Sequence, residues 1–457
     1  MHGIAKSFDE LRAFCEQTPL IDCHDHTLQA GPKHTDPLQA IFSGYLPHDL
    51  QSAGGESAAQ ALSDTAAPLE NRWRVLGPVW ERTKHTGYAR VTRLVLKEFY
   101  DEVSLDCAAL KRIQDKLPDF TDEKTFTAAL DKAKIVARLE DPWPDPRSVL
   151  DGTLKLSPRG RLMIGLPGYH NVGNAEHVLA NVAPLGRRVT SLGEYVEACR
   201  EMFVGFKKYG AVGFKDQSAY TRSLAYGNPT TAEAEEVFNW FMHDPRRNAS
   251  YPDQVKPLSD YLFHQFMRMA RDLDLPVQIH TGHMARVRDE ITKANAIQLT
   301  PLLELHRDVR FDLFHANWPY GGEILYLAKN YPNVHIDFCW ANIIDPIYCQ
   351  NLMKQVVSSV PHGKVHGFGS DYGGSPERAW AHATIARDNI AIALSDLVDM
   401  QYLDIDEARE VAAAWLFGNA NEFFRLKLPH RGTKGGGNGR TPARQVRSRT
   451  RASSRGR

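Results

Sequence analysis

Eight short apolar runs, each closing on polar or small residues, punctuate the chain: PLIDCHDHT (19–27), AKIVARLED (133–141), RLMIGLPGYH (161–170), GAVGFKDQSAY (210–220), LPVQIHTGH (275–283), VRFDLFHANWP (309–319), NVHIDFCWAN (333–342) and KVHGFGSDYGG (364–374). Runs of this length, bounded by turn-forming residues, predict buried strands. Helical patterns lie between the later runs, such as SDYLFHQFMRMARDLD before residue 275 and GGEILYLAKNY after His315. Strands alternating with helices predict a parallel α/β protein. The count favours a closed, distorted (β/α)8 TIM barrel over a doubly wound sheet, which neither a GxGxxG nor a P-loop supports. Two stretches are too long for plain crossovers, a helix-rich one at about 30–130 and a Pro/Asn/Asp-rich one at 221–260. Following strands 1 and 4, both insertions emerge where barrel strands end and are expected to cover a site there.

Composition narrows this picture. At 457 residues, with 42% hydrophobic and 24% charged residues, the chain can bury a full core. The formal charge is zero, yet residues 431–457 carry nine basic and no acidic side chains, leaving the body mildly acidic. We therefore expect one barrel domain over 1–429, with its helical insertion at about 30–130, and a disordered basic Gly/Ser/Arg-rich tail over 430–457. The acidic body gives no footprint for specific nucleic-acid binding. No apolar run is long enough to span a membrane. The N-terminus lacks the apolar stretch of a signal peptide. Six scattered cysteines without a CxxC pair fit reduced thiols, so the expected location is cytoplasmic.

The strongest chemical signal is His24-Asp25-His26, which closes the first run. Side chains alternate along a strand, so two histidines one residue apart point the same way and can reach one ion. Imidazole is the commonest ligand for zinc-like metals. Asp25 then faces away as a structural residue. His280 closes VQIH, His315 closes DLFH and Asp371 closes GFGSD. Alternation places Gln278 and His280 inward on the fifth strand, and Gly369 and Asp371 inward on the eighth. Potential ligands at four strand ends converge at a barrel mouth. Lys215, which shares a face with Ala211 and Gly213, points to the same place.

These motifs resemble the amidohydrolase superfamily, in particular its amidohydrolase-related branch. The likeness rests on DCHDH, IHTG around His280, FHANWP around His315, GSD at 369–371 and the closing LFGNANEFFRL. The helical insertion, GFKDQSAYTR and IHTGH are most similar to nodulin-type amidohydrolase domains, with uronate isomerases more distant. It implies a metal-dependent hydrolase barrel in which His24, His26, His280 and Asp371 hold a divalent ion. Zn²⁺ suits that donor set first, with Mn²⁺ or Fe²⁺ as alternatives. Asp371 would also take a proton from metal-activated water, and His315 would bind a second ion or polarise the substrate. Lys215 has three readings: a carboxylated metal bridge, an ammonium for a substrate carboxylate, or an ordinary salt-bridged lysine. Tyr220, Arg222, His283 and Trp318 are expected to contact substrate.

The function expected is hydrolysis of an amide or related C–N bond in a small polar substrate, by a chain able to form homo-oligomers. A nonoxidative decarboxylase is one alternative, kept open by Trp73, Trp80 and Trp318 as an aromatic pocket. A uronate-type isomerase, which needs many hydroxyl-binding groups, is another. A non-catalytic scaffold is a third, and the full ligand set weighs against it.

Overall fold

In the computed structural model, residues 4–29, 33–285 and 287–429 are described; the expected disordered tail lies outside them. The strands are β1 (Leu20–Asp25), β2 (Ile135–Glu140), β3 (Gly160–Gly165), β4 (Gly213–Asp216), β5 (Val277–Ile279), β6 (Phe311–Leu313), β7 (Val334–Asp337) and β8 (Val365–His366). All pair in parallel and in chain order. Past β8 the chain returns to β1: Cys23 donates to the Phe368 carbonyl (3.1 Å), and the Asp371 N–H to that of His24 (2.8 Å). These bonds close the ring, as the eight-run pattern predicts.

Most strands are buried on both faces. Val277 and Ile279 pack outward with Phe214, Phe203 and Phe266 against the helix layer. Helices are fixed at their entrances by sequence-encoded caps, with full capping boxes at Ser191/Glu194, Thr230/Glu233 and Asp404/Glu407. The 24-residue helix Pro376–Asp399 backs the closure of the ring.

The first insertion forms its own helical layer, from Pro37–Ile41 through Leu46–Ser63, Leu69–Thr83 and Gly87–Tyr100 to Cys107–Gln114. Its core of Leu38, Phe42, Leu76, Trp80 and Val95 is continuous with Phe314, Cys339, Trp340 and Tyr372 beyond the ends of β6, β7 and β8. Arg378 is buried and donates to the carbonyls of Ala40 (2.7 Å) and Ile41 (2.5 Å), binding insertion to barrel. The insertion is thus packed on the mouth, where the sequence places it. Trp73 and Trp80 stack around Phe42 inside this layer and form no aromatic pocket, which removes that support from the decarboxylase reading.

Candidate metal centre

At the mouth, four imidazoles gather on one carboxylate. His24 Nε2 and His26 Nε2 lie 3.0 Å apart, and 3.6 and 3.4 Å from Asp371 Oδ1. His280 Nδ1 and His315 Nε2 also lie 3.0 Å apart, with His315 Nε2 3.8 Å from Asp371 Oδ2. The carboxylate therefore presents one oxygen to each pair. Pairing of β1 with β2 slips between Asp22 and Asp25. Asp25 turns away, as expected, and is held by the buried Arg138.

Backbone carbonyls fix the tautomers. His26 Nδ1–H donates to Asp141 (2.9 Å), His280 Nε2–H to His283 (2.8 Å) and His315 Nδ1–H to Cys339 (2.9 Å). Such outer bonds orient imidazoles and leave the remaining nitrogen free to coordinate. Burial, then the neighbouring cationic groups, holds His280 and His315 well below the usual histidine range, so both rings are neutral. The lone pairs of His280 Nδ1 and His315 Nε2 consequently face each other with no hydrogen between them. A shared cation relieves that repulsion, and the N/O donor set suits a zinc-like ion. His24 is likewise held well below the usual range by burial, and its Nδ1 is buried with no hydrogen-bond partner. Burial also pushes His26 down, but hydrogen bonding and charge from Asp371, with Asp141, outweigh it and bring His26 to about 9.

The centre closes one end of a cavity of about 830 Å³. Lys215 lines it, buried, with Nζ 3.6 Å from the Phe314 ring centroid. Burial lowers its pKa and the surrounding acids, Asp371 first, oppose this. Tyr220 lines the cavity and packs on His280, ring centroids 4.8 Å apart. Arg222 does not line it. Its guanidinium is fully buried behind β4, donating to Asp260 and to Ser259 Oγ (2.5 Å), so it has no free face for substrate. His283 and Trp318 pack edge-on to one another (5.3 Å) outside the cavity lining, and the His283 carbonyl holds His280.

Several residues at the site escape a reading based on strand-end histidines. Asp141, just past β2, is buried with both carboxylate oxygens lacking a hydrogen-bond partner, and it groups with His24 and His26. Its position at the end of RLED was the available signal. Tyr45 comes from the insertion and donates a short hydrogen bond to the Asp371 carbonyl. Trp143 stacks on His26, centroids 4.7 Å apart, and roofs the cavity. Gln217, Asn171, Asn174, His177 and Asn248 add polar groups to the cavity lining.

Residues 232–426, which include His280, His315 and Asp371, match the family model described as amidohydrolase. The amidohydrolase resemblance is borne out. Protein fluG of Emericella nidulans is 26% identical over 226 residues, 47% of this chain and 26% of that protein. The match thus spans about a quarter of this curated relative's length. Among solved structures, a uronate isomerase of Thermotoga maritima has a TM-score of 0.73 at 15% identity, covering 92% of this chain and 97% of that one. A glucuronate isomerase of Caulobacter crescentus has 0.69 at 17%, covering 94% and 95%. A Lactobacillus casei protein described as a metal-dependent hydrolase has 0.63 at 18%, covering 91% and 97%. At these identities the likeness shows the fold, a (β/α)8 TIM barrel, and the amidohydrolase match covers its second half. Among the described residues, no helix is long and apolar enough to cross a membrane.

Proposed function

We propose that the chain is a metal-dependent hydrolase acting on an amide or related C–N bond of a small polar substrate that carries a carboxylate. The observation behind this reading is the pair of opposed, neutral imidazole nitrogens of His280 and His315 beside Asp371, at the end of a cavity that also holds Lys215. His24, His26, His280 and Asp371 would hold a divalent ion, Zn²⁺ first among the options, with His315 beside His280 for a second. Such an ion supplies Lewis acidity and water with a pKa of about 7.

The chain's own groups do the rest. Asp371 accepts the water's proton at a carboxylate oxygen and returns it to the departing amine, the usual double duty of a general base. The Tyr45 hydroxyl fixes the backbone of Asp371, so the carboxylate keeps its place between the two histidine pairs. Lys215 is the cavity's one lysine or arginine among the described residues and pairs with the substrate carboxylate. Trp143 stacks on His26 and shields one face of that ring from solvent.

The test is amine release from a panel of N-acyl amino acids and small carboxylated amides, with and without chelator. We expect release that stops on chelation and returns with Zn²⁺. No release with any amide, alongside aldose–ketose interconversion of a sugar acid, would overturn the reading. That isomerase alternative draws on one observation, the amides of Asn171, Asn174, Gln217 and Asn248 in the cavity lining, which suit hydroxyl groups.

A further inference from the structure

Directly beneath the mouth, the barrel interior holds a second polar layer that the proposed reaction does not use. Cys23 of β1, Gln278 of β5, Asp312 of β6, Asp337 of β7 and His366 of β8 contribute one side chain each, all at most 1% exposed. His366 Nδ1 lies 3.0 Å from Asp312 Oδ1 and 3.9 Å from Asp337 Oδ2. Gln278 Nε2 donates to Asp312 Oδ2 (3.1 Å) and to the Cys23 carbonyl (2.9 Å). The Cys339 N–H binds Asp337 Oδ1 (2.7 Å).

The remaining polar atoms of the layer are orphaned. Asp337 Oδ2, His366 Nε2 and Gln278 Oε1 are buried without hydrogen-bond partners. Phe423 and Phe424 close over His366 from below, with centroids at 4.9 and 5.5 Å, which shuts out water. Two carboxyl groups against one imidazole leave an excess of negative charge in a low-dielectric interior, where an unpaired charge is costly. Either a proton or a cation must settle it.

The ligand chemistry favours a cation. Donor atoms of Cys23, Asp337 and His366 all lie within 4.8 Å of one another. A thiolate, an imidazole and a carboxylate form a mixed S/N/O set characteristic of zinc, and Asp312 orients the His366 ring from outside that set. We propose that Cys23, Asp337 and His366, with Asp312 behind His366, form a second, structural zinc site inside the barrel, separate from the mouth. Because the layer is sealed, the ion enters as the barrel folds and is not exchanged afterwards, in the manner of structural zinc coupled to folding.

The test is retained metal after exhaustive dialysis of the native full-length chain against chelator, which strips the accessible mouth. We expect about one equivalent of zinc to remain and to be released only on unfolding. In protein grown on cobalt, the retained ion should show a thiolate-to-metal charge-transfer band. Cys23→Ser should abolish the band and the retained equivalent, whereas Cys339→Ser, which alters the thiol nearer the mouth, should leave both. Asp337→Asn, close to isosteric, should lower retention even if Cys23→Ser fails to fold. His24→Ala and His280→Ala should leave retention unchanged, so failure at the mouth reads separately. A chain holding no metal after dialysis would overturn the site in favour of a proton shared by Asp312 and Asp337. So would retention lost in the mouth variants and kept in Asp337→Asn.

Discussion

Two buried clusters rich in histidine and aspartate flank β4, and they differ in one respect. Behind the strand, His170 binds Ser259 Oγ through Nδ1 and Asp216 Oδ1 through Nε2, each at 3.0 Å. Asp216 also accepts from Ser218 (2.7 Å) and Tyr226 (2.9 Å). Asp260 accepts from Arg222, Lys256 and the Gly227 N–H. That cluster satisfies itself. At the mouth, opposed imidazole lone pairs, the orphaned Nδ1 of His24 and the bare carboxylate of Asp141 remain. Buried polar groups are costly unless paired, so saturation marks the first cluster as architecture and deficiency marks the second as a place for a ligand. Residue type alone does not separate them.

The comparison breaks most visibly at Asp371. Asp371→Asn should lower kcat by about 10²–10⁴-fold, the scale of general acid–base catalysis, and lower the thermal midpoint by no more than metal removal does. Steady-state kinetics on the amide substrate and a melting curve check both parts. Loss of stability without loss of turnover would place Asp371 with the structural cluster.

Arg222→Met should do the opposite. It leaves Asp260 buried beside fewer partners and should cost about 3 kcal/mol in denaturant unfolding, the lower end for a broken buried pair because Lys256 and Gly227 remain. Metal content should not change. A variant of normal stability with weakened substrate binding would restore Arg222 to the cavity.

Stripping the mouth by chelation should lower the melting temperature, since a ligand held at 100 times its Kd contributes about 2.7 kcal/mol. Readdition of Zn²⁺ should restore it in wild type and in Arg222→Met alike. Identical melting with and without metal would remove the case for a cation between His280 and His315.

Glu377 offers the smallest and sharpest contrast. It is buried against Tyr100 of the insertion, its Oε2 has no partner, and burial raises its pKa to about 7 against the lowering effect of Arg378 and Tyr100. The folded chain thus holds a proton that the unfolded chain gives up near the ordinary glutamate value. Stability from this group is full below about pH 4.5 and is lost as pH rises toward 7. Glu377→Gln should therefore gain roughly 1–3 kcal/mol over wild type between pH 5 and 7.5. Equal pH profiles in unfolding experiments would refute the assignment.

Much of this was legible in the chain. The barrel was readable because each strand is an apolar run ending at a turn, and His24, His26, His280, His315 and Asp371 were readable because they end those runs. Arg222 was misread because loop position carries no information about its partner, Asp260, which sits on a helix 38 residues later. Tyr45 and Trp143 reach the site through long-range packing that no local period records. The lower layer of Asp312, Asp337 and His366 lies within strands, where alternation shows facing but cannot show which neighbours go unpaired.

The imidazoles at the mouth are proposed to hold a divalent ion. Elemental analysis of chain purified without chelator tests this most directly, comparing wild type with a His24→Ala/His280→Ala variant and with Lys215→Ala. The account predicts that the double variant loses at least one metal equivalent relative to wild type. Lys215→Ala should keep the wild-type content if its ammonium binds substrate, and lose one equivalent if the lysine is a carboxylated bridge. Equal metal content in wild type and the double variant would contradict the account.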